Sequence, residues 1–277
     1  MIYASQGWFR IALVACFAWI LFVQHAAAQK LRGLAKIDSL QRAEKNLTGT
    51  AHVDVLNAIA FEWFGIDDAR ANTYAEAAFA KSEKLDYTKG KCEAQLYRGL
   101  YARFSGDVKG AVSLLKIAIS LARELKNKQL EGYALTQLAT ALKTTGNQDS
   151  AFLLFNQSYK ILQDSLYPLQ LSSLYKNWGL ARGRNLQHRQ ARIYLFRSLA
   201  IRQALQEPVL LIDIYLSLSE QFTLESRLAE ANQYIKIADS LSRQLDVSSR
   251  MTYEVNYQRA VLLMKESKFK EAFELFN

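Results

Sequence analysis

The chain has 277 residues, half of them hydrophobic, with only 2 prolines and 12 glycines. This composition excludes a disordered chain, a collagen-like chain and a turn-rich all-β sandwich. Lysine and arginine total 35 against 26 acidic residues, a formal net charge of +9, and the 2 cysteines are too few for a disulfide framework. A chain of this length with so few helix breakers is expected to be helical.

The N-terminal 28 residues have the pattern of an export signal. Arg10 is followed by an apolar stretch from Ile11 to Val23 and then by alanines that end at Ala28. A basic start, a short apolar core and an A-x-A end are typical of a secretory signal. The sequence therefore predicts a signal peptide over 1–28, cleavage near Ala28, and a periplasmic or extracellular location.

Two other interpretations of this segment stay open. An uncleaved segment would be a membrane anchor, although about 13 apolar residues make only about 20 Å of helix, short of the roughly 30 Å hydrocarbon layer. The run Leu13-Val14-Ala15-Cys16 also has the small-residue pattern of a lipid-attachment site. Cleavage near Ala28 would leave Cys92 as the only thiol of the mature chain.

After a predicted leader helix over 29–51, a forty-residue repeat organises the chain. One alanine recurs in every repeat, and the positions four and seven residues after it and twelve before it are mostly small or apolar. The alanine column consists of Ala71, Ala111, Ala151, Ala191, Ala231 and Ala272. Offsets of four, seven and ten residues keep side chains on one face of an α-helix. The pattern predicts two helices per repeat, helix A and helix B, with helix B beginning near the alanine.

The register also predicts the turns and the bounds of the repeats. Gly106-Asp107 and Gly146-Asn147 are expected to separate helix A from helix B, and Pro168 and Pro208 to end one repeat and open the next. The tenth position after the alanine is expected on the buried face of helix B; its residues are Lys81, Leu121, Ile161, Ile201 and Leu241. The predicted repeats are 52–91, 92–131, 132–171, 172–211 and 212–252, with a partial sixth at 253–277.

These features resemble the tetratricopeptide repeat family. Its unit of about 34 residues has Leu-Gly in helix A, Ala-x-x-x-Phe in helix B and a closing proline. Ala151 to Phe155 and Ala272 to Phe276 match the second element, and Gly99 and Gly179 keep the glycine of the first. The resemblance implies an all-α fold, a right-handed α-solenoid of antiparallel helix pairs, over about 52–277. The additional length of each repeat is expected mostly in helix B.

Motifs for catalysis or for metal binding are not found in the sequence. His25, His52 and His188 share no metal-ligand spacing with Cys92 or with a carboxylate pair. There is no H-E-x-x-H, G-x-S-x-G, P-loop or G-x-G-x-x-G motif. We therefore expect no enzyme activity, no cofactor and no metal, with Cys92 packed as a small hydrophobe. Aromatic residues at helical spacing are expected in the core, so nucleic acid is not an expected partner.

One stretch of the chain is exclusively basic. No acidic residue occurs between 165 and 206, which includes the whole of predicted repeat four apart from its last residues. Its cations are Lys176, Arg182, Arg184, Arg189, Arg192, Arg197 and Arg202. Like charges repel one another unless an anion lies near. The run indicates either an ordinary solvated face or a surface for an acidic partner.

The resemblance implies a groove lined by helix A residues at fixed positions, here fifteen, eight and seven before the alanine. Some family members use basic residues at such sites to hold a terminal carboxylate, although the paired asparagines of those members are absent here. The candidate partner-binding residues are Arg103, Phe104, Lys143, Lys176 and Arg184 from the groove, with Arg189 and Arg192 from the basic run.

Two function classes follow. The first is an exported, non-catalytic scaffold that binds a protein or peptide, an acidic one matching the basic positions. The alternative is a sensor segment, because the signal, the leader helix and repeats that begin His52-Val53-Asp54 resemble the periplasmic part of tetratricopeptide-type sensor histidine kinases. In that family a transmembrane helix, a coiled coil and a kinase follow the repeats. Membrane contact is expected only through such a C-terminal segment or an uncleaved signal.

Overall fold

The computed structural model describes residues 36–164, 166–206, 208–245 and 249–275, so the predicted signal peptide lies outside the described residues. These residues form 13 helices and no strand, which confirms the predicted all-α class. The described part of the first helix, α1, spans 36–44. The others are α2 Gly49–Trp63, α3 Asp68–Lys84, α4 Thr88–Phe104, α5 Val108–Glu124, α6 Lys128–Thr144, α7 Gln148–Leu162, α8 Pro168–Arg184, α9 His188–Leu205, α10 Pro208–Leu224, α11 Leu228–Leu245, α12 Ser249–Lys265 and α13 Phe269–Glu274.

From α2 onward, each even-numbered helix is a helix A and each odd-numbered helix is the helix B that pairs with it. The structural repeats begin three or four residues before the predicted bounds; α4, for example, begins at Thr88 and not at 92. The leader also ends earlier than the predicted bound of 51, because Thr48 is extended and α2 begins at Gly49. Both differences arise because the alanine column marks where helices pack and not where the turns lie.

The alanine column is buried, as the repeat predicts. Its six residues are between 0% and 3% exposed. The small residues twelve positions earlier allow helix A to approach closely. A Cβ atom built on Gly179 would lie 2.9 Å from Cγ of Leu195 and 3.1 Å from the carbonyl oxygen of Ala191. The small columns therefore set the distance between helix A and helix B.

The prediction for the tenth position after the alanine is wrong for most repeats. Only Leu241 of that column is buried; the other four are half-buried. The buried position is the next one along, occupied by Ser82, Ala122, Leu162, Arg202 and Ser242. An α-helix of 3.6 residues per turn brings positions zero, four, seven and eleven onto one face. Repeat four places an arginine at this buried position.

The turns within repeats require a left-handed backbone. Gly106 has φ 89° and Asp107 caps the start of α5, where its side chain accepts a hydrogen bond from the amide of Gly110. Later repeats adopt the same turn without glycine, with φ 60° at Leu186 and 57° at Ser226. Pro168 and Pro208 are the first residues of α8 and α10, as predicted.

The helices form two layers. The backbone of each helix A lies within 8 Å of the helix A of the next repeat, measured between Cα atoms, whereas no two helices B approach this closely within the described residues. Helices A therefore form the inner, concave layer and helices B the outer layer. We call the inner surface the groove. Among the described helices, none is both long enough and apolar enough to cross a membrane.

Candidate binding groove

One face of each helix A is directed toward its neighbours in the inner layer. Positions eighteen, fifteen, fourteen, eleven, eight and seven before the alanine fall on this face, since they follow helical spacing. Two ion pairs between α8 and α10 join positions of this face. Lys176 pairs with Asp213 at 2.7 Å, and Arg184 pairs with Glu220 at 2.9 Å.

A contact among three charged side chains connects repeats four and five. Asp213 of α10 accepts hydrogen bonds from Nζ of Lys176 at 2.7 and 2.9 Å and from Nη1 of Arg202 at 2.7 Å. Nη1 of Arg202 also donates to the carbonyl oxygen of Leu210 at 2.6 Å, and its side chain is only 2% exposed. Burial alone would raise the pKa of Asp213, but the two cations hold that pKa well below its usual range. We call Lys176, Arg202 and Asp213 the ion triad.

Within the fold, carboxylates of a neighbouring repeat oppose part of the basic run. Arg184 donates to Oε1 of Glu220, and Arg192 pairs with Glu225. Both carboxylates belong to the next repeat: Glu220 is 36 residues after Arg184, and Glu225 is 33 residues after Arg192. The absence of acidic residues within repeat four is therefore offset by acidic residues of repeat five.

Two further arginines of the run lie against aromatic rings. The guanidinium of Arg182 is 4.5 Å from the ring centroid of Phe152, and that of Arg197 is 5.7 Å from that of Tyr175. Such cation–π contacts are worth about 0.5–1 kcal/mol at exposed sites. Arg189 is exposed and forms no ion pair within the part of the chain that the structure describes.

Lys143, near the end of α6, differs from these cations. The charged groups that face it are Arg103 of α4, Lys176 and Arg184 of α8, and Glu220 of α10. Burial is the main cause that lowers the pKa of Lys143 to about 8, and the neighbouring cations lower it further. Within the described residues its ammonium forms no ion pair, because Glu220 is held by Arg184.

The predicted site residues divide into two groups. Arg103, Lys143, Lys176 and Arg184 come together on the inner layer, as the charges around Lys143 show. Arg189 and Arg192 belong to α9 in the outer layer. Phe104 ends α4 at the groove position that Arg184 holds in repeat four, and its ring packs 5.4 Å from that of Phe64.

The sequence interpretation missed the column fourteen residues before the alanine, which holds an amide side chain in repeats one, three and four and Tyr97 and Ser217 in repeats two and five. Asn57, Gln137 and Asn177 are 1%, 3% and 8% exposed. Nδ2 of Asn57 donates to the carbonyl oxygen of Gly90 at 3.1 Å. Within the described residues, Oδ1 of Asn57 and Oε1 of Gln137 have no hydrogen-bond partner. The forty-residue register could have revealed this column, because it is adjacent to the position fifteen before the alanine that was compared with the family.

The first part of the groove has the opposite charge. Glu62 and Glu93 lie close to Tyr97, and the three residues are on α2 and α4. Burial is the main cause that raises the pKa of Glu93 and also that of Tyr97. Acidic groups therefore gather around Tyr97 near the start of the inner layer, and basic groups, from Arg103 onward, gather around Lys143.

Two other features do not form candidate sites. An open depression of about 820 Å³ lies beside α1, and two pairs of its lining side chains contact each other: Gln41 with the hydroxyl of Tyr74 at 2.8 Å, and His52 with Glu44 at 3.4 Å. Cys92 is fully buried, its thiol donates to the carbonyl oxygen of Ala118 at 3.4 Å, and burial raises its pKa to about 12. Within the described residues, no group of three potential ligands is placed to hold a metal ion.

Comparisons with known proteins identify the fold. No protein-family model matches the chain, and no curated protein matches its sequence. Among solved structures, the apo form of RapI superposes with a TM-score of 0.64 at 9% identity, over 92% of this chain and 94% of that one. Aspartyl phosphate phosphatase F from Bacillus subtilis gives 0.62 at 13%, over 96% and 72%. PilW, a type IV pilus biogenesis factor, gives 0.51 at 19%, over 80% and 90%.

The class defined by helix pairs, layers and these neighbours is the tetratricopeptide-type α-solenoid. The chain has this fold, with repeats of forty residues, as its sequence register predicts. At these identities the likeness concerns the fold, so the function is argued from the groove of this chain.

Proposed function

We propose that the chain is a non-catalytic, exported scaffold that binds an extended segment of a protein or peptide partner in its groove. The observation that carries the proposal is the buried amide column at Asn57, Gln137 and Asn177. A side-chain amide has the same donor and acceptor groups as a peptide bond, so a column of amides along the groove suits the main chain of an extended segment.

The unpaired oxygens of this column support the same conclusion. Buried polar atoms are almost always hydrogen-bonded, and each one left without a partner costs about 1–3 kcal/mol. Oδ1 of Asn57 and Oε1 of Gln137 are two such acceptors on the inner layer. Both oxygens are enclosed in the unbound groove, so backbone amides of a bound segment would reach them only as neighbouring side chains move apart. A solved neighbour of this fold, a Rap protein, was crystallised in complex with Competence and Sporulation Factor.

The distribution of charge along the inner layer indicates how a bound segment is oriented in the groove. The acidic groups around Tyr97 and the basic groups around Lys143 are at different places along the inner layer. A segment with an acidic part would place that part against repeats three and four. Electrostatic complementarity of this kind contributes orientation and association rate more than affinity.

The proposed test selects peptides on the mature chain, 29–277, from a random library of 12-residue peptides displayed on phage. Selected peptides are then measured by fluorescence anisotropy. We expect Gln137→Leu to weaken binding at least tenfold, because it removes an acceptor from the groove. Gln157→Leu is the matched control, since Gln157 is exposed on α7 in the outer layer. No enriched peptide, or equal losses for the two variants, would overturn the proposal.

Export has its own test. Residues 1–40 are fused to an alkaline phosphatase that is active only outside the bacterial cytoplasm. We expect an active fusion whose processed N-terminus is Gln29. An inactive fusion, or an active one with an unprocessed N-terminus, would contradict export with cleavage near Ala28.

A second candidate, the sensor segment of a membrane signalling protein, is favoured by one observation. Large apolar side chains are exposed on the last two helices, with Tyr253 60%, Phe269 66% and Phe273 67% exposed. A surface of this kind suits a further packed element. Sequencing the gene beyond the codon for Asn277 tests this: an open frame with an apolar stretch of about 20 residues and a kinase would support it, and a stop codon would exclude it.

A further inference from the structure

The outermost side chains of the B helices form a surface on the opposite side of the array from the groove. Positions two, five, six and nine after the repeat alanine follow helical spacing and therefore share one face of each helix B. On α5, α7, α9 and α11, all of these positions are exposed except Ser240, which is half-buried. We call this surface of the four helices the outer ridge.

The outer ridge is basic and contains no acidic residue. Each of its helices contributes one cation: Lys116, Lys160, Arg197 and Lys236. The three lysines form no ion pair within the residues that the structure describes. Carboxylates of the same helices lie off the ridge, since Glu124, Asp149 and Glu230 are in terminal turns and Asp239 is held by Arg243 at 3.1 Å. The lysines are therefore available to an external anion.

Large apolar side chains are exposed beside these cations. They are Ile117, Leu153, Ile193, Phe196 and Ile237, between 37% and 65% exposed. Single exposed apolar residues are ordinary on a soluble protein, but here four successive B helices each carry at least one, on the same face as a cation. Repeat one does not continue the pattern, because its α3 holds Thr73, Glu76, Ala77 and Ala80 at these positions. The outer ridge therefore extends from repeat two to repeat five.

We propose that the outer ridge lies on the surface of a lipid bilayer that contains anionic headgroups. The cations attract the headgroups, and the apolar side chains enter the boundary between headgroups and acyl chains, as they do on helices that lie in the plane of a membrane. This is a surface contact and not a span. It is additional to the terminal segments through which the sequence predicts membrane contact.

Other occupants fit the outer ridge less well. A second copy related by a twofold axis would place the same face on both sides of the contact, so that cations would oppose cations. A hydrophilic polyanion would neutralise the cations but leave the apolar side chains in water. Because the outer ridge and the groove are on opposite sides, the proposal is independent of the proposed function, and a segment bound in the groove leaves the ridge free.

The experiment measures how much of the mature chain, 29–277, floats with vesicles of phosphatidylcholine that contain about one third phosphatidylglycerol, or none. The ridge variant combines three substitutions: Lys116→Glu, Lys160→Glu and Lys236→Glu. The matched control changes the net charge equally at three exposed lysines outside the ridge, with Lys84→Glu, Lys126→Glu and Lys270→Glu. Circular dichroism verifies that both variants keep their helices, as expected for substitutions at exposed positions.

We expect the wild type to bind the anionic vesicles at least tenfold more tightly than the neutral ones. The ridge variant should lose at least tenfold in affinity for the anionic vesicles, and the control should lose less than threefold. Equal losses would show that net charge alone attracts the protein, and would overturn the outer ridge as the site. No binding of the wild type to anionic vesicles would overturn the bilayer as the occupant and leave an acidic protein in its place.

A second measurement tests whether apolar side chains enter the bilayer. Phe196→Trp places a fluorophore on the outer ridge, while the native Trp63 and Trp178 are buried in the array. We expect bromine-labelled lipid to quench the added fluorescence at least twofold, and to leave that of Phe269→Trp, exposed on α13, unchanged. Bound vesicles without quenching at position 196 would show a purely ionic contact, and equal quenching at position 269 would place the contact on the last helix. Either result would overturn the proposal.

Discussion

Two junctions between neighbouring repeats differ at the same three structural positions. Where repeat two meets repeat three, these positions hold Leu96, Ala122 and Tyr133. Leu96 and Ala122 are 1% and 0% exposed, and Tyr133 packs against the apolar cluster to which Leu96 belongs. Apolar packing is non-directional, so such a junction tolerates exchange among hydrophobic residues of similar volume.

Where repeat four meets repeat five, the same positions hold the ion triad of Lys176, Arg202 and Asp213. A buried ionic contact is stabilising only while every charge has its partner, because each charge has lost its hydration. The comparison teaches that one fold uses two kinds of junction. The stability of the apolar junction depends on the volume of its side chains. The stability of the ionic junction depends on a partner helix that carries the opposite charge at the matching position.

The largest expected effect is at the ion triad. Asp213→Asn leaves the buried guanidinium of Arg202 and the ammonium of Lys176 without a counter-charge. We expect a loss of about 3–5 kcal/mol in the free energy of unfolding, measured by urea denaturation.

Acid should have a similar effect: the pKa of Asp213 is lowered in the folded state, so its contribution to stability is present above the unfolded pKa of about 4 and is lost as the pH falls below that value.

A triple variant separates the charge effect from a general packing effect. Lys176→Leu, Arg202→Leu and Asp213→Ser introduce residues that other repeats hold at these positions. Removing all charges together should change stability by less than about 1 kcal/mol, since replacing a whole buried ion network by apolar residues is often neutral. A triple variant as unstable as Asp213→Asn would show that the two junctions do not differ in the way proposed here.

A smaller effect is expected at Lys143, a cation of the same region without a counter-charge. Lys143→Met should raise the free energy of unfolding at pH 7 by about 1–2 kcal/mol, after allowance for partial exposure, because it removes a charge disfavoured by burial. The folded pKa of about 8 lies below the unfolded value, so the wild type gains stability as the pH rises above 8. The difference between the proteins should therefore shrink toward pH 10.

Urea denaturation at a series of pH values measures this difference. Lys160→Met, on the exposed face of α7, is the matched control and should change little. A stabilisation by Lys143→Met that is independent of pH would mean that packing, and not charge, is responsible.

The smallest expected effect distinguishes the turns of the two regions. Gly106 supplies the left-handed residue in repeat two, whereas Leu186, with φ 60°, does so in repeat four. The left-handed conformation costs about 1–2 kcal/mol for a residue with a Cβ atom. Glycine avoids this cost, but it loses about 0.5–1 kcal/mol more conformational entropy when the chain folds. Leu186 is 79% exposed, so Leu186→Gly should stabilise the protein by about 0.5–1 kcal/mol. A lower melting temperature for this variant would contradict the expectation.

Much of the fold was predictable from the sequence, because the determinants are local and repeated. The alanine column fixed the number of helices, their pairing and their buried faces. The turns at Gly106 and Gly146 and the helix starts at Pro168 and Pro208 were also predicted, since each depends on the backbone of one residue. The repeat bounds were displaced because packing columns contain no information on where a helix begins.

The candidate site was only partly predictable. Arg103, Lys143, Lys176 and Arg184 were placed together by the register, and the structure agrees that they are neighbours. Their electrostatic state was not predictable from composition along the chain. The counter-charges, such as Asp213 for Lys176, are 37 residues away in sequence and adjacent only through contact between successive helices A.

Because Cys92 is buried, the rate at which its thiol is chemically labelled measures the local opening of repeat two. Its thiol is enclosed between α4 and α5, and a thiolate-specific reagent can reach it only when these helices separate. The rate of labelling therefore reports how often repeat two opens while the rest of the protein remains folded. In a solenoid each repeat contacts only its neighbours. A ligand bound in the groove near repeat two would therefore slow the labelling of Cys92, and a substitution in the distant ion triad would leave the labelling rate unchanged.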